Sequence, residues 1–248
     1  MNNLIGISGK IGSGKDTMGN IIQMLTQGID SNTQIIEYVN GANITGFDYQ
    51  IKKYADRLKD IVCLLIGCTR EQLEDREFKE KELGEEWNWS KKIPVGNSGD
   101  YSLDHIVMTP RLLFQLLGTD CGRDIIHPNI WVNSLFADYE DNKSDWLSGL
   151  NSKWIITDVR FPNEAQAIKD RSGIVIRVNR DKQCGSCEST FTKGSECPNC
   201  GSGNWVHGKI DFTHPSETAL DDYEFDHVID NNGSIEELVE KVKQLNLV

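Results

Sequence analysis

The sequence predicts an α/β fold in which a mainly parallel sheet carries helices on both faces. Three observations point to it. Short apolar runs that suit strands alternate along the chain with segments of helical period. A glycine-rich turn follows the first apolar run and leads straight into the first amphipathic segment. The chain has 248 residues, which suits one such domain with an inserted subdomain better than two independent domains.

Leu4 to Ile7 is the first strand, and a helix runs from Lys15 towards Leu25 with Met18, Ile21, Ile22 and Leu25 on one face. Gln34 to Val39, Q-I-I-E-Y-V, has the composition of a strand. Asp56 to Ile66 places Leu58, Ile61, Val62, Leu65 and Ile66 at helical spacing, and Gly67 closes it. The polar stretch Arg70 to Lys81 reads as an exposed helix. Gly84 to Asp104 shows no period and reads as a mobile loop or a small insertion. Thr109-Pro110 starts a helix with a capping hydroxyl and a proline at its first position. That helix carries Leu112, Leu113, Leu116 and Leu117 and is expected to stop at Gly118.

Trp154 to Thr157 is a strand ending at Asp158, and Phe161-Pro162-Asn163 turns into a short helix around Ala165 and Ile168. Gly173 to Val178 and His227 to Ile229 are further strands. Ser234 and Glu237 form a capping box for a last helix whose buried stripe is Ile235, Leu238, Val239, Val242 and Leu245. No internal repeat interrupts this order.

Acidic side chains number 38 against 26 basic ones, for a net charge of -12. Such a field repels polymeric nucleic acid, so any anionic ligand has to be gripped by a local basic cluster. No apolar stretch approaches the roughly 20 residues of a membrane span, and the chain runs from its first strand into a polar loop. These features predict a soluble, cytoplasmic protein with neither a nucleic acid polymer nor a membrane as partner.

The loop is the most informative segment. Gly9 to Thr17 reads G-K-I-G-S-G-K-D-T. It matches the phosphate-loop pattern G-x-x-x-x-G-K-[ST] at Gly9, Gly14 and Lys15, with Asp16 where a hydroxyl is expected and Thr17 next. Glycines at this spacing, Gly12 among them, let successive N–H groups, including that of Ser13, curl round an anion. The following helix turns its positive end to the same place, and Lys15 reaches the outer phosphates of a nucleoside triphosphate.

Cysteines form a second constellation. Cys63, Cys68 and Cys121 are scattered beside apolar segments and read as free, at least partly buried thiols. Cys184, Cys187, Cys197 and Cys200 instead form two C-x2-C knuckles nine residues apart. That spacing turns four thiolates towards one point and predicts structural Zn2+ in a ribbon inserted at residues 181–206. Four thiolates leave a metal no open position for catalysis. The ribbon is either part of a lid, by analogy with adenylate-kinase-like proteins, or a docking module for another macromolecule.

Ligands of open α/β sheets collect at strand C-termini, which singles out Asp158 and Arg160, with Glu164 on the next turn. Arg111 sits in the first turn of its helix, where a positive charge is slightly unfavourable. Its use therefore lies elsewhere, for instance on a phosphate. Arg123 and Lys59 are further cationic candidates, and Trp131 is either a base-stacking platform or an ordinary half-buried tryptophan.

These residues match a known family. The chain resembles phage-type deoxynucleoside monophosphate kinases through 9–17, Y-A-D-R-L-K (54–59), R-E-F-K (76–79), T-P-R-L-L-F-Q-L-L-G-T-D-C-G-R (109–123), I-W-V around Trp131, I-T-D-V-R-F-P-N-E-A (156–165) and H-P-S-E-T-A-L (214–220). The cysteine ribbon and the stretch 84–104 depart from the family pattern. The resemblance implies a P-loop kinase three-layer fold over 1–248, with the zinc ribbon as an insertion. It also implies Mg2+ and transfer of the ATP γ-phosphoryl group to a dNMP, yielding dNDP and ADP, in the host cytoplasm if the chain is phage-encoded. Carried over by position, Gly9, Gly12, Ser13, Gly14, Lys15, Asp16 and Thr17 hold ATP. Arg111, Arg123, Asp158, Arg160 and Glu164 line the acceptor site, adjoined by Lys59 and Trp131. Asp16 is assigned to hydrated magnesium, and a homodimer is compatible with this reading. Two rivals are a phosphomevalonate-type kinase of the same architecture and an ATP-gated adaptor that presents the ribbon to a partner.

Overall fold

The computed structural model describes residues 2–95, 100–139, 152–184, 186–187, 189–191, 196–202 and 215–247. Expectations that fall on the remaining parts of 84–104 and 181–206 lie outside the described residues, as does His214. The chain divides into two compact units, one of Met1–Tyr54 with Phe136–Val248 and one of Ala55–Leu135.

The first unit opens with β1 (Leu4–Gly9), buried at every position. Helix α1 (Lys15–Thr26) starts where its sequence predicts and buries Met18, Ile21, Ile22 and Leu25. The segment read as a strand, Gln34 to Val39, is instead most of helix α2 (Asn32–Val39). Ile35 is fully buried, with Tyr38 and Val39 partly buried on the same core, while Glu37 is exposed. That is helical spacing; in a strand Glu37 would share a face with Ile35 and Val39. The β-branched and aromatic composition misled because packing overrides propensity. A strand the sequence did not reveal, β2 (Tyr49–Lys52), is four residues long and fully buried only at Tyr49.

In the second unit, α3 (Asp56–Ile66) ends at Gly67, whose φ of 68° is the left-handed closure expected there. Arg70 to Lys81 is not one helix but two, α4 (Arg70–Glu74) and α5 (Arg76–Glu80). Asp75 between them is extended, and its carboxylate accepts the Phe78 N–H at 2.7 Å, so it caps a new helix rather than continuing the old one. Leu73 is fully buried, so the stretch is not exposed throughout.

The aperiodic stretch after Gly84 contains an antiparallel hairpin, β3 (Trp89–Val95) and β4 (Asp100–Ile106), with Trp89 opposite Ile106. Most of its described side chains are exposed. With neither face buried among the described side chains, there was no polar–apolar alternation to read. Helix α6 (Pro110–Gln115) is capped as predicted, the Thr109 hydroxyl accepting the Leu112 N–H at 3.2 Å.

The chain does not stop at Gly118. It continues in wide, π-type turns over Leu116–Ile126 before α7 (Ile130–Phe136). Gly118 serves close packing rather than termination, since a Cβ there would lie 2.9 Å from Leu58 Cδ2. Leu58, Val62, Leu73, Met108, Leu113 and Trp131 form the core of this unit.

Back in the first unit, the chain forms β5 (Lys153–Val159), α8 (Pro162–Lys169) and β6 (Ile174–Asn179). A small hairpin follows, β7 (Lys182–Gln183) with β8 (Thr190–Phe191), and then α9 (Pro215–Thr218), β9 (His227–Asp230) and α10 (Ile235–Lys243). The sheet order is β2-β5-β1-β6-β9, with every pairing parallel.

Alternate residues divide the sheet into two faces. Ile5, Ile7, Ile155, Ile176 and Val178 pack under α1 and α10. Gly6 lies under Ile168 of α8 on the other face. The Ser234 hydroxyl caps α10 by accepting the Glu237 N–H at 3.3 Å.

Helices α1 and α8 lie on opposite faces because the chain leaves β1 towards β2 but leaves β5 towards β6, in opposite directions along the sheet. The carboxyl ends of β1 and β5 therefore flank a topological switch point, where ligands of such sheets bind. Gly9 and Asp158 lie at those two ends.

The helical assignment of α2 is directly testable by urea unfolding. Ile35→Ala should destabilise by about 2–5 kcal/mol, whereas Glu37→Ala should change stability by less than about 0.5 kcal/mol. Similar losses at both positions would contradict the packing described.

Candidate phosphate site and cysteine cluster

After Gly9 the chain folds back on itself, the Ser13 N–H donating to the Lys10 carbonyl at 3.1 Å. Gly12 and Gly14 have φ of 76° and 90°, a region that costs other residues roughly 1–2 kcal/mol. Space is restricted as well. A Cβ on Gly9 would meet Ser13 Oγ and the Val178 carbonyl, and one on Gly14 would meet Asn231 Nδ2. Asn231 follows β9 and donates from Nδ2 to the Ser13 carbonyl at 2.9 Å, which pins the loop from the far edge of the sheet. The Ser13 hydroxyl is buried with no hydrogen-bond partner among the described residues. An orphaned donor in a glycine loop at a helix N-terminus fits a phosphate ligand.

Lys15 opens α1 and is mostly withdrawn from water. Burial lowers its pKa most and the neighbouring Arg160 lowers it further, while the charges of Asp16, Glu217 and Asp158 raise it. Asp16 Oδ1 receives the Lys53 ammonium at 2.7 Å and the Thr157 hydroxyl at 2.8 Å. Burial pushes the Asp16 carboxyl up, but the Lys53 contact, Thr157 and Lys15 together outweigh it and hold it below the usual range.

At the end of β5, Asp158 Oδ1 accepts the Tyr54 N–H at 2.8 Å. Glu164 is buried, and its Oε2 accepts the N–H groups of Arg160 (2.8 Å) and Phe161 (3.1 Å), a cap for α8. The Tyr54 hydroxyl donates to the Glu164 carbonyl at 2.9 Å. Arg160 Nη1 contacts Glu217 Oε1, and Glu217 Oε2 accepts the Ile11 N–H of the phosphate loop at 3.0 Å.

The first unit thus gathers Lys15, Asp16, Asp158 and Arg160, and Thr17 lies on the first turn of α1. It adds Lys53, Thr157, Glu217 and Asn231, which sequence reasoning missed. Thr157 and Glu217 lay inside quoted motifs and were legible as residues, but not as contacts. Lys53 follows a strand that was not recognised, and Asn231 follows the last one.

The other candidates belong to the second unit. Lys59 of α3 pairs with Glu74, and Arg111 of α6 pairs with Glu80 on the surface. Arg123 Nη1 and Trp131 Nε1 both donate to the Gly118 carbonyl, at 3.0 and 2.8 Å. Trp131 is 6% exposed, within the core of that unit.

The four ribbon cysteines place their sulfurs within 4.8 Å of one another. Both knuckles use the same turn: Cys184 N–H donates to the Ser189 carbonyl and Cys197 N–H to the Ser202 carbonyl, each at 2.9 Å. The Ser189 hydroxyl, 2.7 Å from Cys187 Sγ, leads the influences that bring that thiol down to about 6. Cys200, although a backbone bond at Ser202 favours its thiolate, is pushed up to about 12 by the neighbouring sulfurs. Sulfurs this close titrate as a group, and full deprotonation needs a cation among them. Four sulfurs this close are compatible with Zn2+. Cys63, Cys68 and Cys121 are free and half-buried, as expected.

A parallel sheet with a glycine cradle after its first strand, and a lysine opening the next helix, defines a kinase-like phosphate-loop α/β protein. No helix among the described residues is long and apolar enough to cross a membrane.

Comparison with known proteins agrees. The family model described as deoxynucleotide monophosphate kinase matches residues 95–195. The "Deoxynucleoside-5'-monophosphate kinase" of Escherichia phage T5 is 23% identical over 203 residues, covering 68% of this chain and 73% of that protein. The "Putative deoxynucleotide monophosphate kinase" of Acanthamoeba polyphaga mimivirus is 30% identical over 142 residues, 54% of this chain and 59% of the relative. The chain is similar to deoxynucleotide monophosphate kinases, and this similarity supports a phosphotransferase.

Two outcomes follow from the geometry. The lowered Lys15 pKa means that, between the folded value and the ordinary 10.5, the unfolded chain binds more protons there. Stability from this group therefore rises with pH across that alkaline window, and its charge is a burden at neutral pH. Lys15→Met should raise the thermal midpoint of the nucleotide-free protein; a fall would show the charge to be net stabilising. For the cysteines, metal analysis of reduced protein should return about one zinc per four-thiolate set, and chelation should unfold the ribbon. A stoichiometry near zero would defeat the assignment.

Proposed function

We propose that the protein is a deoxynucleoside monophosphate kinase that transfers the γ-phosphoryl group of ATP to a dNMP, giving dNDP and ADP. The observation that carries this reading is the set of charges round Lys15: a glycine cradle and a lysine at one strand end, with Arg160 and Asp158 at the next. A triphosphate donor suits the first group. A second phosphate suits a guanidinium beside it. The names of the phage and mimivirus relatives support the same choice.

The acceptor phosphate has a second pKa of about 6 and is largely a dianion at neutral pH. It is already nucleophilic, so no side chain has to remove a proton. The obstacle is bringing two polyanions into line, and fixed cations lower it. Lys15 and the loop N–H groups would hold the donor phosphates. Arg160 would take the acceptor phosphate, with Asp158 and Glu164 fixing the turn that carries it. The family resemblance assigns Arg111, Arg123, Lys59 and Trp131, by their positions in the shared motifs, to acceptor binding as well. Mg2+ would be held by Thr17 and Asp16, and it would neutralise charge between the donor phosphates. Lys53 and Thr157 orient the Asp16 carboxylate for that task. Residues 181–206 would form a ribbon stapled by structural Zn2+ and serve as part of a lid within a single kinase domain.

The test is a coupled assay with ATP and Mg2+ over all deoxy- and ribonucleoside monophosphates, with phosphomevalonate as a control. Turnover confined to the control, or absent throughout, would refute the reading. Lys15→Ala should lower turnover by about two or more orders of magnitude without unfolding the protein. Arg160→Ala should raise KM for the monophosphate more than KM for ATP; the reverse would reverse the assignment of sides.

A further inference from the structure

We infer that Glu217 is a positioning residue that holds Arg160 and the phosphate loop in register, an inference that rests on the phosphotransfer reading above. Its side chain is only 2% exposed, yet it sits on α9, a helix of four residues, Pro215–Thr218. Nothing in so short a helix calls for a buried carboxylate. Its two oxygens do separate work. Oε1 takes the Arg160 guanidinium, and Oε2 takes the Ile11 N–H of the loop at 3.0 Å. The neighbouring Ser216 carbonyl accepts from the same Arg160 Nη1 at 3.4 Å.

The segment is anchored beside these contacts. Leu220 is buried, and Asp221 bridges Lys10 (3.1 Å) and Arg177 (3.4 Å). One short piece of chain, Glu217 to Asp221, therefore touches both the cradle and the cation beside it.

Charge explains the need. Arg160 disfavours the protonated form of Lys15, and Glu217 favours it. Two cations kept close in a partly dry site repel until phosphates arrive, and a fixed carboxylate between backbone and guanidinium keeps them in place meanwhile. Glu217 is no proton acceptor in the reaction, because a phosphate dianion needs none. It acts through Arg160 and through the loop.

Glu217→Gln is the informative variant. A glutamine has one acceptor oxygen, so either Arg160 or the Ile11 N–H must face an NH2 group. With dNMP, ATP and Mg2+, kcat should fall on the order of 100-fold, and calorimetry should show weaker ATP binding. On an Arg160→Ala background the same change should lower kcat little further, because the guanidinium it positions is gone. A merely structural role would lower both backgrounds alike, and that outcome would overturn the inference. Wild-type kcat, KM and ATP affinity in Glu217→Gln would also overturn it while leaving the kinase reading intact. If the wild type binds ATP but phosphorylates no monophosphate, the kinase reading falls. Weakened ATP binding in Glu217→Gln would then still support the link to the loop, and unchanged binding would end that too.

Discussion

The first unit is organised around an ammonium that has been drawn largely out of water beside a second cation. Lys15 pays for that placement in proton affinity, and the surrounding carboxylates limit the cost. Each of those carboxylates is tied to something else: Asp16 to Lys53 and Thr157, Asp158 to the Tyr54 N–H, Glu217 to Arg160 and the Ile11 N–H. The site thus holds two cations, Lys15 and Arg160, close together among carboxylates that are each fixed by other partners.

The scaffold makes this arrangement available through topology. A crossover to the left from β1 and one to the right from β5 leave the carboxyl ends of adjacent strands uncovered. The glycine turn occupies one end and the Asp158–Arg160 turn the other. Close packing beneath depends on small residues: Gly6 admits Ile168 of α8, and Gly19 of α1 admits Thr157 and Ile155. With bulkier residues there, α1 could not bring Asp16 against Thr157.

The residues after β9 join the phosphate loop to the stem of the cysteine ribbon. Asn231 holds the Ser13 carbonyl, and its own N–H donates to the Asn179 carbonyl at 2.7 Å. Asn232 exchanges two hydrogen bonds with Asp181, at 2.8 and 3.0 Å, just before β7. A two-residue link, Asn231-Asn232, therefore braces both the loop that suits an anion and the base of the module that suits a metal.

Local signals in the sequence were enough for the glycine cradle, the two C-x2-C knuckles, α1, α3, β5, β6 and α10. Each depends on residues close together in the chain, through spacing, caps and turn glycines. What failed locally was settled by contact. Q-I-I-E-Y-V is helical because Ile35, Tyr38 and Val39 meet one core, Gly118 is a packing glycine because Leu58 lies against it, and Asp75 divides a polar stretch by capping its second half. The partners of the site divide in the same way. Lys15, Asp158 and Arg160 were readable from motif and strand end. Lys53, Glu217 and Asn231 reach the loop and the first turn of α1 from 37, 206 and 218 residues away, counting from Asp16 to Lys53, Ile11 to Glu217 and Ser13 to Asn231. Chain-local chemistry specifies which groups can grip a phosphate. Only the folded sheet, by bringing remote strand ends together, decides which other groups hold them still.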